Sequence, residues 1–141
     1  MQDDIRDILR KVRKYKEISI RKLASEINSS EDTIIRIENK RIWPNLKTLM
    51  SICDVLSCYI KIEHDLSKYE IDSDNYIQYD IRDTLRRVRK YNLITARELS
   101  DKINVSVNNI RSIETQRYNP TFEDVIKICD GLNCTIKLYI D

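Results

Sequence analysis

The chain has 141 residues, 41% hydrophobic and 34% charged, with a formal net charge of +2. A single Gly (Gly131) leaves no glycine-rich phosphate loop, and a single His (His64) leaves little for acid–base or nucleophilic catalysis. No run approaches the ~20 apolar residues of a membrane span, so neither an enzyme, a cofactor site nor a membrane protein is expected. The opening Met1-Gln-Asp-Asp4 is acidic and runs straight into an amphipathic pattern, unlike a signal peptide, so the cytoplasm is the expected compartment.

Asp3 or Asp4 can cap a first helix over about 4–16, whose apolar positions Ile5, Ile8, Leu9, Val12 and Tyr15 recur at three-and-four spacing. Ser19 caps a short second helix with Leu23, Ala24 and Ile27 inward. The turn Asn28-Ser29-Ser30 follows, where Asn tolerates the left-handed backbone of a tight corner. Ser30 caps a third helix carrying Ile34 and Ile37. Trp43-Pro44-Asn45 breaks the chain, and Asn45 caps a fourth helix with Leu46, Leu49, Met50, Ile52, Cys53 and Leu56. Cys58-Tyr-Ile-Lys-Ile62 then alternates apolar and polar, the period-two pattern of a strand with one buried face.

Residues 66–79 show no clear periodicity and read as an acidic linker. After it residues 4–65 return as 80–141, aligned without a gap, and about 29 of the 62 pairs are identical. Thr95, Leu99, Ile103, Asn104, Ser106, Ile110, Ile113, Pro120, Thr121, Val125, Ile128 and Leu132 repeat the helical pattern, and Cys134-Thr-Ile-Lys-Leu-Tyr-Ile140 repeats the strand. The expected domains are therefore 1–65, a linker over 66–79, and 80–141. A lone strand cannot satisfy its own backbone groups. The two strands are expected to pair with each other, antiparallel, making the chain resemble a homodimer whose protomers have been fused.

Positive charge gathers in the repeats. The first has 13 Lys/Arg against 10 Asp/Glu and the second 11 against 9, while the linker has one against three. The runs Arg10-Lys-Val-Arg-Lys14 and Arg86-Arg-Val-Arg-Lys90 suit nucleic-acid phosphates, or simply a solvated helix face. The four cysteines form a repeated C-x4-C. Zinc is one reading, but Cys53 and Cys129 fall on apolar helix positions, where reduced Cys serves as a small core residue, so no metal is expected.

A short helix, a three-residue turn and a second helix with apolar residues at Leu23, Ile27, Ile34 and Ile37 describe a helix-turn-helix. Leu9-Arg-Lys-Val-Arg13, Leu23-Ala24, Ile34-x-x-Ile37-Glu38 and Pro44-x-x-x-x-Leu49 together resemble the lambda-repressor-like (Cro/CI, XRE) DNA-binding family. So do Leu85-Arg-Arg-Val-Arg89, Leu99, Ile110-x-x-Ile113-Glu114 and Pro120-x-x-x-x-Val125. The resemblance implies a mainly α fold: two tandem helix-turn-helix domains forming a pseudo-dimer, with one short terminal strand per repeat pairing into a two-stranded sheet. The terminal strands resemble those of HipB-type antitoxin regulators. It also implies that Arg13 pairs with Glu38 and Arg89 with Glu114, as scaffold locks. Ile20 and Ala96 stand where the family commonly carries a phosphate-binding Gln, each followed by an arginine, Arg21 or Arg97.

With Ile34 and Ile37 inward, the third helix turns Glu31, Asp32, Ile35 and Arg36 outward, with Thr33 within reach of bases or sugar. The second repeat offers Val107, Asn108, Arg111 and Ser112, with Asn109 in the place of Thr33. Arg suits guanine, Asn adenine, a carboxylate cytosine N4, and Ile or Val a thymine methyl. Ser30, Ser106, Arg21, Arg97, Arg41 and Arg117 are the expected phosphate contacts. The reading positions differ between repeats while the inward ones match. The expected function is a sequence-specific double-stranded-DNA-binding transcription regulator, a repressor acting by occupancy, monomeric with internal pseudo-two-fold symmetry. Its site would be asymmetric, with half-sites about 34 Å apart. The alternative is an antitoxin-like or inhibitor module that engages a protein partner. Two carboxylates at the tip of the first reading helix are the feature least suited to a polyanion.

Overall fold

A computed structural model describes residues 4–63, 81–115 and 119–140. The expected linker, 66–79, lies outside the described residues. The order of elements is α1 (Ile5–Tyr15), α2 (Ile20–Glu26), α3 (Glu31–Glu38), α4 (Leu46–Leu56), β1 (Cys58–Glu63), α5 (Ile81–Tyr91), α6 (Ala96–Ile103), α7 (Val107–Glu114), α8 (Phe122–Gly131) and β2 (Thr135–Ile140).

Among the described residues, seven helix starts are written locally. Asp4 accepts from the Arg6 N–H, Ser19 from Lys22, Ser30 from Thr33 and Asn45 from Thr48. Thr95, Ser106 and Thr121 do the same for α6, α7 and α8, and Glu98 completes a reciprocal box with Thr95. Such caps satisfy N–H groups that have no partner inside the helix, and each contributes about 1 kcal/mol. Among the described residues seven non-Gly residues take positive φ, from 53° to 63°: Glu17, Asn28, Lys40, Ser57, Leu93, Asn104 and Asn133. Asn28 and Asn104 are the corners between the paired helices. The one glycine, by contrast, lies inside a helix, at the end of α8.

The chain divides into two compact units. One comprises Met1–Ile60 with Leu138–Asp141, and the other Lys61–Lys137. In the first, α1 packs on α3 and α4, and α2 packs on the same two helices. Its core is Leu9, Val12, Leu23, Ile34, Ile37, Leu49, Ile52, Cys53 and Leu56. In the second, α5 packs on α7, and α6 on α7 and α8. There Phe122 fills the place of Leu46 and is fully buried with Leu85, Val88, Leu99, Ile110, Ile113, Val125 and Ile128.

Two residues placed among the apolar positions of their helices are solvent-facing. Tyr15 is 81% exposed and Met50 36%. At about 100° per residue, Tyr15 lies about 120° around the helix from Leu9 and Met50 about 100° from Leu49, both off the buried stripe. Ile140, at the end of the alternating pattern of β2, is likewise half exposed.

β1 and β2 form a two-stranded sheet. Tyr59 stacks on Tyr139 with ring centroids 5.4 Å apart, and Lys137 Nζ meets Glu63 Oε2 at 3.1 Å. The partner number falls as the residue number rises, so the strands run antiparallel. Ile60, Ile62 and Ile136 line the buried face.

Candidate nucleic-acid interface

α2 and α3, and again α6 and α7, form the two helix pairs that carry the expected site. The orientation of α3 is set from both sides. Beneath it, Ile34 and Ile37 are buried at 1% and 2% exposure. At its C-terminal end Arg13, on α1, donates from Nε to Glu38 Oε2 at 2.6 Å and from Nη2 to Oε1 at 2.9 Å. The third guanidinium bond, from Nη1, goes to the Ile18 carbonyl at 2.8 Å and holds the α1–α2 turn. The second unit repeats this pattern. Arg89 meets Glu114 at 2.7 and 2.9 Å and donates to the Ile94 carbonyl at 2.8 Å. Glu114 beside Arg89 pushes that guanidinium's pKa further up, so the guanidinium stays charged at any ordinary pH. A planar guanidinium matched to a carboxylate fixes angle as well as distance. Arg13 and Arg89 are thus withdrawn from the basic runs, which leave Arg10, Lys11, Lys14, Arg86 and Lys90 exposed.

The outward face follows. Glu31, Asp32, Ile35 and Arg36 are exposed on α3, and Thr33 is half-buried. Asp32 Oδ2 lies 3.0 Å from Arg36 Nε, and the Ser30 and Thr33 hydroxyls are 2.9 Å apart. On α7, Asn108, Asn109 and Arg111 are exposed, Val107 and Ser112 half-buried. Ser106 accepts from the Asn109 N–H at 3.1 Å. Arg21, Arg97 and Arg41 are exposed beside these helices. Arg117 lies outside the described residues.

Several residues that shape the site were not among those expected. Arg6 is buried, stacks on the Trp43 ring with its guanidinium carbon 3.4 Å from the centroid, and donates to the Ile42 carbonyl at 3.1 Å. Its bonds to Asp4 hold that carboxyl below the usual carboxylate range. It thereby pins the segment that follows α3 to the start of α1. The second repeat keeps Arg82 but has Asn119 in the place of Trp43. Lys40 Nζ reaches Asp7 Oδ2 at 2.8 Å, a second tie between α1 and the end of α3. The i, i+4 spacing of Asp32 and Arg36 was readable in the sequence, whereas these long-range ties were not.

All four cysteines are buried, and none forms a disulfide. The Cys58 thiol and burial push the Cys53 pKa up, burial pushes Cys129 up, and burial raises Cys134 to about 11. None of these three is a ready thiolate. Among the described residues no cluster of three or more His, Cys, Asp or Glu could hold a metal ion, and no helix is long and apolar enough to cross a membrane.

The sequence model of the helix-turn-helix family matches this chain twice, over residues 9–61 and 85–138. The chain belongs to that family. Both matches span the α2–α3 or α6–α7 pair together with the helix on either side. The family is that of lambda-repressor-like DNA-binding regulators, and its double occurrence makes this chain a tandem helix-turn-helix protein. No curated protein and no solved structure matches it.

Proposed function

We propose that this helix-turn-helix protein is a sequence-specific transcription regulator that represses by occupying double-stranded DNA. Two repeats, 1–65 and 80–141 about the 66–79 linker, would engage an asymmetric site as one chain in the cytoplasm. One observation carries this reading. α7 presents Asn108, Asn109 and Arg111 to solvent while Ile110 and Ile113 on its other face are completely buried, so the presented side chains are held on a rigid support. Asn and Arg are the side chains that bond adenine and guanine edges bidentately, and the N-terminal half of the second helix is the part that enters a major groove. Arg21, Arg41 and Arg97 suit the flanking phosphates.

The test is selection from random duplexes at physiological salt, followed by titration of the selected duplex over a salt series. Enrichment of one sequence with a steep loss of affinity on adding salt is expected. Retention of no duplex at any salt, with one protein co-purifying, would instead favour an antitoxin-like or inhibitor module. The exposed face of α3, where Glu31 and Asp32 adjoin Ile35 at 41% exposure, is the observation on that side.

A further inference from the structure

The two repeats carry different charge arrangements around their third helix. On α3 the tip is acidic. Glu31 and Asp32 are exposed, Asp32 occupies Arg36, and the cap hydroxyl of Ser30 is tied to Thr33. The flanks of that tip are basic: Arg21 and Lys22 on α2, and Arg41 beyond α3, are exposed. In the second repeat the tip carries no charge, and the flank keeps Arg97 in the place of Arg21. Val107 and Asn108 replace the two carboxylates, and Glu98 stands where the first repeat has Lys22. Arg111 is exposed, with Val107 and not an acid one turn before it.

Carboxylates in the first turn stabilise their own helix, but among base edges in the major groove they can accept only from cytosine or adenine amino groups, and they repel phosphates. A guanidinium already bonded to one must release it before meeting guanine. Flanking cations act on phosphates and carry no sequence information. Resting on the DNA-binding reading above, we infer that the repeats divide the task. α7 reads bases through Asn108, Asn109 and Arg111, while the first repeat holds the backbone through Arg21, Lys22 and Arg41 and reads little. The ligand is a duplex whose informative bases lie in one half only.

The full-length chain tests this by random-duplex selection, then titration of the selected and a scrambled duplex. Base preference is expected in one contiguous half. Lys22→Ala with Arg41→Ala should weaken both duplexes equally and lower the slope of log affinity against log salt by about 2. Arg111→Ala should cost about 5-fold to 100-fold on the selected duplex and leave the scrambled one unchanged. Glu31→Val with Asp32→Asn should tighten both several-fold. All these side chains are at the surface, and circular dichroism verifies that each variant is folded. Two equally informative halves, or an E31V/D32N variant that loses affinity together with a cytosine preference, would overturn the inference and leave DNA binding intact. Failure of the wild-type chain to retain any duplex would sink DNA binding itself.

Discussion

Glu38→Ala should be among the most damaging single substitutions in the first repeat. The side chains of Arg13 and Glu38 are each only 9% exposed and share two bonds, at 2.6 and 2.9 Å. Removing the carboxylate leaves a buried guanidinium with the Ile18 carbonyl as its remaining close partner, since Arg10, at 3.9 Å from Glu38, is itself a cation. Breaking a buried pair from one side costs about 3–5 kcal/mol. The low end applies here, because the retained carbonyl bond and the residual exposure relieve part of the penalty. At about 4–8 °C per kcal/mol for a unit of this size, the melting temperature should fall by about 12 °C or more. Arg13→Met with Glu38→Leu removes both charges and should recover most of the loss. Urea and thermal unfolding of wild type, R13M, E38L and R13M/E38L form the complete cycle, with E38A measured beside them. A loss under about 1 kcal/mol for E38A, or a double variant no more stable than E38A, would refute the claim that desolvation of an abandoned charge sets the cost. The folded double variant should still bind the selected duplex within a few-fold, because the pair positions α3 and contacts no base.

Gly131→Ala should destabilise the second unit by about 1 kcal/mol, measured by urea unfolding. An added Cβ would sit 2.4 Å from Ile103 Cγ2 and 2.8 Å from Leu99 Cδ1, and that crowding exceeds the helix-propensity gain. Leu93→Gly should stabilise the same unit by about 1 kcal/mol, since Leu93 holds φ 57° at 88% exposure and packs little; an unchanged midpoint would count against backbone strain there. Asp4→Asn should flatten the acid limb of the stability profile. Arg6 holds Asp4 below its ordinary range, so its contribution is present at neutral pH and lost as pH falls through that lowered value. An acid limb identical to wild type would contradict this. The four thiols should resist iodoacetamide at pH 8 in the native state and all react in denaturant, read by mass spectrometry; native alkylation at any of them would show it to be more accessible than its burial indicates.

Much of this architecture was legible because its determinants are local. Ser19, Ser30, Asn45, Thr95, Ser106 and Thr121 close bonds to backbone groups three residues away, so cap and helix start are read from one short stretch. Arg13 and Arg89 were legible through family resemblance rather than spacing, since each partner is 25 residues away. What escaped was of three kinds. Tyr15 and Met50 obeyed an apolar spacing but sit off the buried stripe, a matter of phase that three-residue steps do not control. The Arg6–Trp43 stack and the Lys40–Asp7 bridge join residues 37 and 33 positions apart, and no local rule names such partners. Left-handed turns at Glu17, Lys40 and Leu93 escaped as well, because none of these residue types advertises that conformation.

Both strands of the sheet come from the same polypeptide. Diluting the protein therefore does not unzip β1 from β2: the tether keeps each strand within reach of the other at any concentration of the chain. A regulator assembled from two separate copies loses its ribbon, and with it its grip, when few molecules are present. Under the single-chain function proposed above, one molecule per cell would bring both helix-turn-helix units, and occupancy of its DNA would rise with the first power of its abundance.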